Sequence, residues 1–325
     1  MARFGYTLMT EQSGPAQLVQ YAAAAEQVGF DFALCSDHYN PWLESQGHAP
    51  YAWAVLGAVA QATHRMELVS YVTCPTHRYH PTIVAQKAAT LGLLSDGRFI
   101  LGLGSGENLN EHVIGQGWPT AEVRQSMLQE AMMIIRQLLG GETVTSDGDF
   151  FHVSQAKLWD CPQDPIQMGV AVSGSRSIKR FAPLADHLIS TTPDHELLDQ
   201  WDEARPAGGP TARSFLQLPI CWAPDESTAV SVAHDQFRWS IGSWSVNAEL
   251  PSPASFAAAT EPVRVEDVTA SIPCGPDLDR IAKAFEPAVQ AGFTDIGLVQ
   301  VGDQHQQQFL DQAAGPLLER LHRLG

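Results

Sequence analysis

The sequence predicts a closed (β/α)8 barrel, one domain spanning residues 1–325. Short β-branched or apolar runs alternate with longer helical patterns from end to end, the signature of βα units on a parallel sheet. Eight such units exceed the usual strand count of a doubly wound open sheet, and they fit a barrel of about 250 residues plus insertions. The 325 residues, 44% hydrophobic and 17% charged, also supply apolar material for one large core.

The elements follow in order. Strands are expected near 3–8, 31–36, 66–72, 98–103, 166–171, 186–190, 213–221 and 294–299, each followed by helical periodicity. In the first helix, Pro15 opens the turn, Leu18, Val19, Ala22, Ala23 and Glu26 follow at helical spacing, and Gly29 ends it before Phe30. The same punctuation recurs at Ala291-Gly292-Phe293. Two surplus stretches read as insertions at the barrel mouth. One, about 141–165, contains a small hairpin; the other, about 240–273, is rich in Pro, Ala and Ser and suits a covering loop. The run Gln304 to Gln308 begins the last helix.

Composition excludes several classes of function. With 19 basic and 36 acidic residues the net charge is −17, which disfavours a nucleic-acid surface and obliges any anionic ligand to find a local basic patch. No apolar stretch approaches the length of a membrane span, and the first residues lack a basic segment, apolar core and cleavage site in order, so a cytoplasmic protein is expected. Cys35, Cys74, Cys161, Cys221 and Cys274 are odd in number and widely spaced, which suits reduced thiols better than a disulfide framework.

Active sites of such barrels lie at the C-terminal strand ends, so the residues after each strand are the candidates. After the second strand comes Ser36-Asp37-His38-Tyr39-Asn40-Pro41-Trp42, where His38 either moves protons near neutral pH or serves as a hydrogen-bonded structural histidine. After the fourth, Gly102-Leu-Gly104-Ser-Gly106 lets a ligand approach the backbone, and Glu107 stands where a dinucleotide fingerprint needs glycine, which rules that fingerprint out. Glu107 is then an acid at the rim or a solvated turn residue. After the fifth, Ser173-Gly174-Ser175-Arg176 opens a helix whose N–H groups, with Arg176, Lys179 and Arg180, suit an anion, though Ser-Gly-Ser is also ordinary N-cap sequence. His77, Arg78, Tyr79 and His80 precede Pro81 as loop and helix-start positions; no metal is expected, since neither His-x-His nor HExxH occurs. Trp222, Phe237, Trp239 and Trp244 form either an apolar lid or part of the core.

Three groups of residues together resemble one family: Ser36-Asp37-His38 with Pro41-Trp42, Arg78-Tyr79-His80-Pro81 with Ala85-Gln86, and Gly104-Ser105-Gly106-Glu107 with Asn110-Glu111. This constellation is similar to the luciferase-like oxidoreductases that use coenzyme F420, in the branch of the F420-dependent glucose-6-phosphate dehydrogenases, and the likeness spans nearly the whole chain. The resemblance implies a TIM barrel of the bacterial luciferase-like type and hydride transfer between a substrate alcohol or carbonyl and C5 of the deazaflavin. It further implies His38 as the base for the hydroxyl proton, Glu107 as the acid at N1 of the ring, and Trp42 packed beside the developing charge. Asp37, Ser105, Gly106 and Asn110 would line the ring, Tyr71 and Val72 would carry a non-prolyl cis peptide behind it, and Ser173, Gly174, Ser175 and Arg176 would hold the phosphate. A homodimer acting on a small molecule is implied too.

The departure from that branch lies on the substrate side. Sugar-phosphate members hold the phosphate with lysines and an arginine, whereas here Ser190-Thr191-Thr192-Pro193, Asp267-Val268-Thr269-Ala270-Ser271 and Asp303 to Gln308 stand in those regions, and Lys283 is the only lysine after residue 190. A less charged alcohol or carbonyl compound is therefore expected. Competing readings are an FMN-dependent monooxygenase or reductase of the same superfamily, a metal hydrolase using Asp37, His38 and Glu107, and a deazaflavin-binding protein without turnover.

Overall fold

The computed structural model describes residues 2–206 and 211–324. Its strands are β1 (Arg3–Leu8), β2 (Phe32–Cys35), β3 (Glu67–Ser70), β4 (Phe99–Leu103), β5 (Val144–Asp147), β6 (His152–Ala156), β7 (Met168–Ala171), β8 (His187–Ser190), β9 (Ser214–Ile220) and β10 (Asp295–Gln300). Eight of them close a parallel barrel in the order β1-β10-β9-β8-β7-β4-β3-β2. These eight are the strands the apolar runs predicted. β5 and β6 form the expected antiparallel hairpin in the first insertion.

Inside the barrel Phe32, Leu34, Val69, Tyr71, Ile100, Ile189 and Phe215 form a plug, with Phe32 and Phe215 meeting edge to face at 5.7 Å. At the N-terminal ends of the strands, Arg213 joins Glu67 at 2.8 Å and Asp295 at 2.5 Å, while Arg3 reaches Glu67 at 2.7 Å. Four strands are thus cross-tied below the plug, and the chemistry is left to the opposite rim.

The first helix, Pro15–Val28, ends at Gly29 with φ 112°, a left-handed cap that a side chain would strain. Buried Glu26 on that helix accepts the backbone N–H groups of His64, Arg65 and Met66, which seats the start of β3.

The second insertion differs from the expected loop. It folds into three short helices, Trp244–Asn247, Pro253–Ala259 and Val265–Ser271. Alanine favours helix, and the prolines lie between the helices or, as Pro253 does, at a first turn behind the capping Ser252. Phe256 and Val268 from these helices pack with Trp42, Leu43, Leu109 and Cys221 into a second core over the rim. The cysteines are free. Among the described residues no helix is long and apolar enough to cross a membrane.

Candidate active site

Beyond the end of β1 the chain runs into the barrel mouth and buries Glu11, which is 1% exposed. Its Oε2 accepts the Ser36 hydroxyl at 2.6 Å. Its Oε1 lies 2.5 Å from His38 Nδ1, close enough for an ion pair though not aligned as a hydrogen bond. On the other side of the ring, His38 Nε2 lies 3.4 Å from Glu107 Oε1. Burial alone would lower the imidazole pKa, but Glu11 and then Glu107 outweigh it and raise it to about 9. Burial likewise pushes Glu11 upward, yet its pairing with His38 and its bond from Ser36 leave it below the usual carboxylate value. His38 at neutral pH is therefore an imidazolium held between two carboxylates. Sequence reading missed Glu11, because it inspected the ends of strands two to five; a carboxylate just past the first strand was the available signal.

Asp37 is fully engaged. Its Oδ2 accepts Trp53 Nε1 at 3.1 Å and Thr73 Oγ1 at 2.8 Å; its Oδ1 accepts Arg78 at 3.2 Å and the Tyr79 hydroxyl at 3.1 Å. Arg78 continues to Glu111, donating from its backbone N–H at 3.0 Å and from Nε at 3.4 Å. Burial raises the Glu111 pKa to about 7 against the opposing pull of Arg78. Asp37, Arg78, Tyr79 and Glu111 thus brace the loop after β2 against the loops after β3 and β4. His80 caps the helix Pro81–Leu94, accepting from the Thr82 N–H at 3.3 Å, a helix-start position as expected.

Glu107 is oriented by Asn110, whose Nδ2 donates to Oε1 at 2.5 Å while its Oδ1 accepts the Tyr39 and Asn40 N–H groups at 2.7 and 2.9 Å. One buried amide therefore fixes the carboxylate and the loop carrying His38. Two of the glycines before Glu107 answer a packing need. A Cβ at Gly102 would meet Ser70 O at 2.0 Å, and one at Gly104 would meet Val72 Cγ2 at 2.6 Å, so the close approach they allow is that of β3 and its continuation. Gly106 has φ 83°, and a Cβ there would lie 2.9 Å from Glu111 Cγ. Ser105, between these glycines, is partly exposed.

Beyond β3 the peptide Tyr71–Val72 is cis, at the bond where it was expected. Tyr71 donates its hydroxyl to Ser190 O at 2.5 Å. The segment Ser173-Gly174-Ser175-Arg176 follows β7, the sheet neighbour of β4, so it stands beside the Glu107 loop around the rim. A Cβ at Gly174 would meet nothing within 4 Å, and the Arg176 side chain is 83% exposed. Arg180 is tied to Glu122, which also lies 3.9 Å from Arg176.

Trp42 packs its edge on His38 at 4.9 Å and stacks on Trp239 at 4.1 Å with 9° between the planes. Phe237 tilts onto Trp239 at 4.9 Å and Phe256 meets Trp42 at 5.1 Å. Trp239 and Phe237 thus back the Trp42 ring that meets the histidine, whereas Trp222 is buried against Phe309 and Trp244 faces outward. Near the last strand Gln300 and Gln306 are committed to the fold. Gln306 holds the Tyr6 hydroxyl and the carbonyls of Gln300 and Gly302; Gln300 grips the Trp222 backbone through both ends of its amide.

The chain matches the family model described as luciferase-like monooxygenase over residues 1–295. It is similar to the F420-dependent glucose-6-phosphate dehydrogenase of Kribbella flavida, 33% identical with 99% of each chain covered. Its likeness to the protein of that name from Microbacterium testaceum is 31% identity, covering 99% of this chain and 98% of the relative. Among solved structures it resembles an F420-dependent secondary alcohol dehydrogenase in complex with an F420-acetone adduct, with TM-score 0.90, 26% identity and 98% and 99% coverage. A coenzyme F420-dependent tetrahydromethanopterin reductase from Methanopyrus kandleri shares the fold at TM-score 0.76 and 20% identity, covering 98% and 97%.

Proposed function

The chain belongs to the luciferase-like monooxygenase family, and from its likeness to F420-dependent relatives we propose that it is a coenzyme F420-dependent oxidoreductase interconverting an alcohol and a carbonyl compound. The observation that carries this reading is the imidazole of His38 held between Glu11 and Glu107 beneath the aromatic wall of Trp42 and Trp239. Hydride transfer leaves a proton to be handled at each end, and this site offers two proton carriers 3.4 Å apart.

The residues present suit the cofactor. Gly174 opens onto free space at a helix start with the exposed Arg176 beside it, a donor set for a phosphate. Asn110, Ser105, Gly106 and the Tyr71–Val72 segment border the rim next to Glu107, where a flat ring would lie. Asp37, with its carboxylate taken by four donors, acts there by positioning His38 and the loops. Bound, coenzyme F420 would supply C5 as hydride acceptor or donor. His38 exchanges the substrate oxygen's proton through Nε2, Glu107 carries the proton on the cofactor side, and Trp42 with Trp239 excludes water from the reacting carbon.

Past residue 190, Arg213 is tied at the opposite end of the barrel, Arg264, Arg280 and Arg320 each pair with a carboxylate, Lys283 is exposed on the helix Leu278–Lys283, and Gln300 and Gln306 are bonded within the fold. This supports an uncharged secondary alcohol or ketone in preference to glucose 6-phosphate. A cytoplasmic homodimer is part of the same proposal, and the exposed Ile83, Leu93 and Leu94 on the helix Pro81–Leu94 offer an apolar face for it, testable by sedimentation.

The test is a screen of alcohols with coenzyme F420, following loss of the oxidised deazaflavin's absorbance. Turnover of secondary alcohols above glucose 6-phosphate is expected, and His38→Ala should abolish it while keeping cofactor affinity. Efficient oxidation of glucose 6-phosphate would reject the substrate class.

A further inference from the structure

Gln217, on β9, stands outside the hydrogen-bond networks of His38 and Asp37. Following the strand register around the sheet, Thr7, Tyr71, Ala171 and Gln217 come from alternate strands and form one layer of side chains inside the barrel. Beneath that layer Leu34 leans over Gly297 and Ile189 over Gly102, both side chains buried, so the interior is sealed from below. The layer itself is open: Ala171 and Gln217 keep partial exposure, as does Val72 beside Tyr71. A side chain that points into a barrel sealed below it and still meets solvent faces the mouth, so these residues are the floor of the mouth.

That floor has one polar spot. Val72 and Ala171 are apolar, and Tyr71 spends its hydroxyl on Ser190 O. Gln217 donates from Nε2 to Thr7 Oγ1 at 3.1 Å, and among the described residues its Oε1 has no partner. One end of the amide is thus anchored and the other is left for a ligand. An amide presents an oxygen that accepts or, turned over, an NH2 group that donates; a hydroxyl satisfies either, because it does both. No charged side chain stands in the layer, so the complementary group is neutral.

Position assigns this spot to the substrate in preference to the cofactor. In the closed sheet β9 is separated from β3 by β10, β1 and β2 on one side and by β8, β7 and β4 on the other, so the two strands face each other across the barrel. Gln217 therefore looks toward the Tyr71–Val72 segment, beside which the flat ring is placed. Thr7, its anchor, pairs in register with Leu34 on the strand that leads to His38. A substrate lying between ring and amide has its reacting carbon at His38 and its far end on the floor. Resting on the F420 reading above, we propose that Gln217, held by Thr7, is a specificity-determining residue and that the substrate is an uncharged secondary alcohol carrying a second hydroxyl, a diol or larger polyol.

The experiment measures kcat/KM with coenzyme F420 for butan-2-ol, butane-2,3-diol and butane-1,3-diol, and the cofactor dissociation constant by deazaflavin fluorescence. Gln217→Met keeps the side chain's length and removes the amide, and Thr7→Val removes the amide's anchor; thermal melting checks that both fold, and the second variant carries the test if the first does not. The wild type is expected to favour at least one diol over butan-2-ol by roughly tenfold or more, and the variants to lose that preference with cofactor affinity unchanged. A wild type that favours butan-2-ol or oxidises none of the three, or a diol preference that survives in the folded variants, overturns the role of Gln217. Weakened cofactor binding in Gln217→Met overturns it too, by making the amide a ring contact. Each of these leaves the cofactor reading standing. A wild type that binds no deazaflavin overturns both.

Discussion

His38 keeps its proton because two carboxylates outweigh the cost of burying it, and that balance fixes how the enzyme should respond to pH. Alcohol oxidation needs the neutral imidazole, so the single-turnover rate of the cofactor-loaded enzyme should rise with pH through the histidine's value of about 9. Glu11→Gln removes the larger of the two carboxylate effects, so the rising limb should move to lower pH; a limb that stays in place would remove Glu11 from this role. Carbonyl reduction uses the imidazolium and should show the opposite slope. Glu107→Gln should slow the hydride step in rapid-mixing kinetics with substrate affinity little changed, and normal kinetics would leave it a turn residue. That His38, Trp42 and Glu107 meet at the rim was legible because each follows a strand end in a recognisable motif. Glu11 was not, since its meaning lies in a contact with a residue 27 positions away, and a sequence displays neighbours along the chain, not across the barrel.

Among the elements, the loops after β2, β3 and β4 are locked together by buried polar groups instead of apolar ones. Arg78 lies at the centre, with its side chain 8% exposed between Asp37 and Glu111. Arg78→Met strands two buried carboxylates and should cost about 3–5 kcal/mol in denaturant unfolding. Near-native stability would mean that Trp53, Thr73 and Tyr79 suffice to hold Asp37. Gly104→Ala should cost about 1–3 kcal/mol through its clash with Val72, measurable in the same assay. Strand positions could be read from the sequence because parallel barrel strands are short apolar runs between Gly, Pro and charge. The second insertion could not: its Pro and Ser content resembles a loop, but Ser252 caps a helix and Pro253 opens it. At Gly102 and Gly104 a sequence shows that a backbone can be approached closely without showing by what, and the approach there is that of β3 and its continuation.

For the whole molecule, closure of β1 against β10 makes the first and last strands neighbours, with Arg3 and Phe4 paired to Asp295 and Ile296. We therefore expect the chain to unfold as one domain, in a single calorimetric transition, and two separable transitions would contradict that. The barrel was legible at this scale because eight βα units leave few other ways to bury their apolar faces. The substrate was not, because its site is assembled from several strand ends whose side chains are mostly spent on one another. The central claim concerns the cofactor, and the most direct measurement of it is a fluorescence titration of the purified protein with coenzyme F420 in parallel with FMN. Micromolar or tighter binding of F420 with much weaker FMN binding is predicted; tight FMN binding with weak F420 binding would contradict the account.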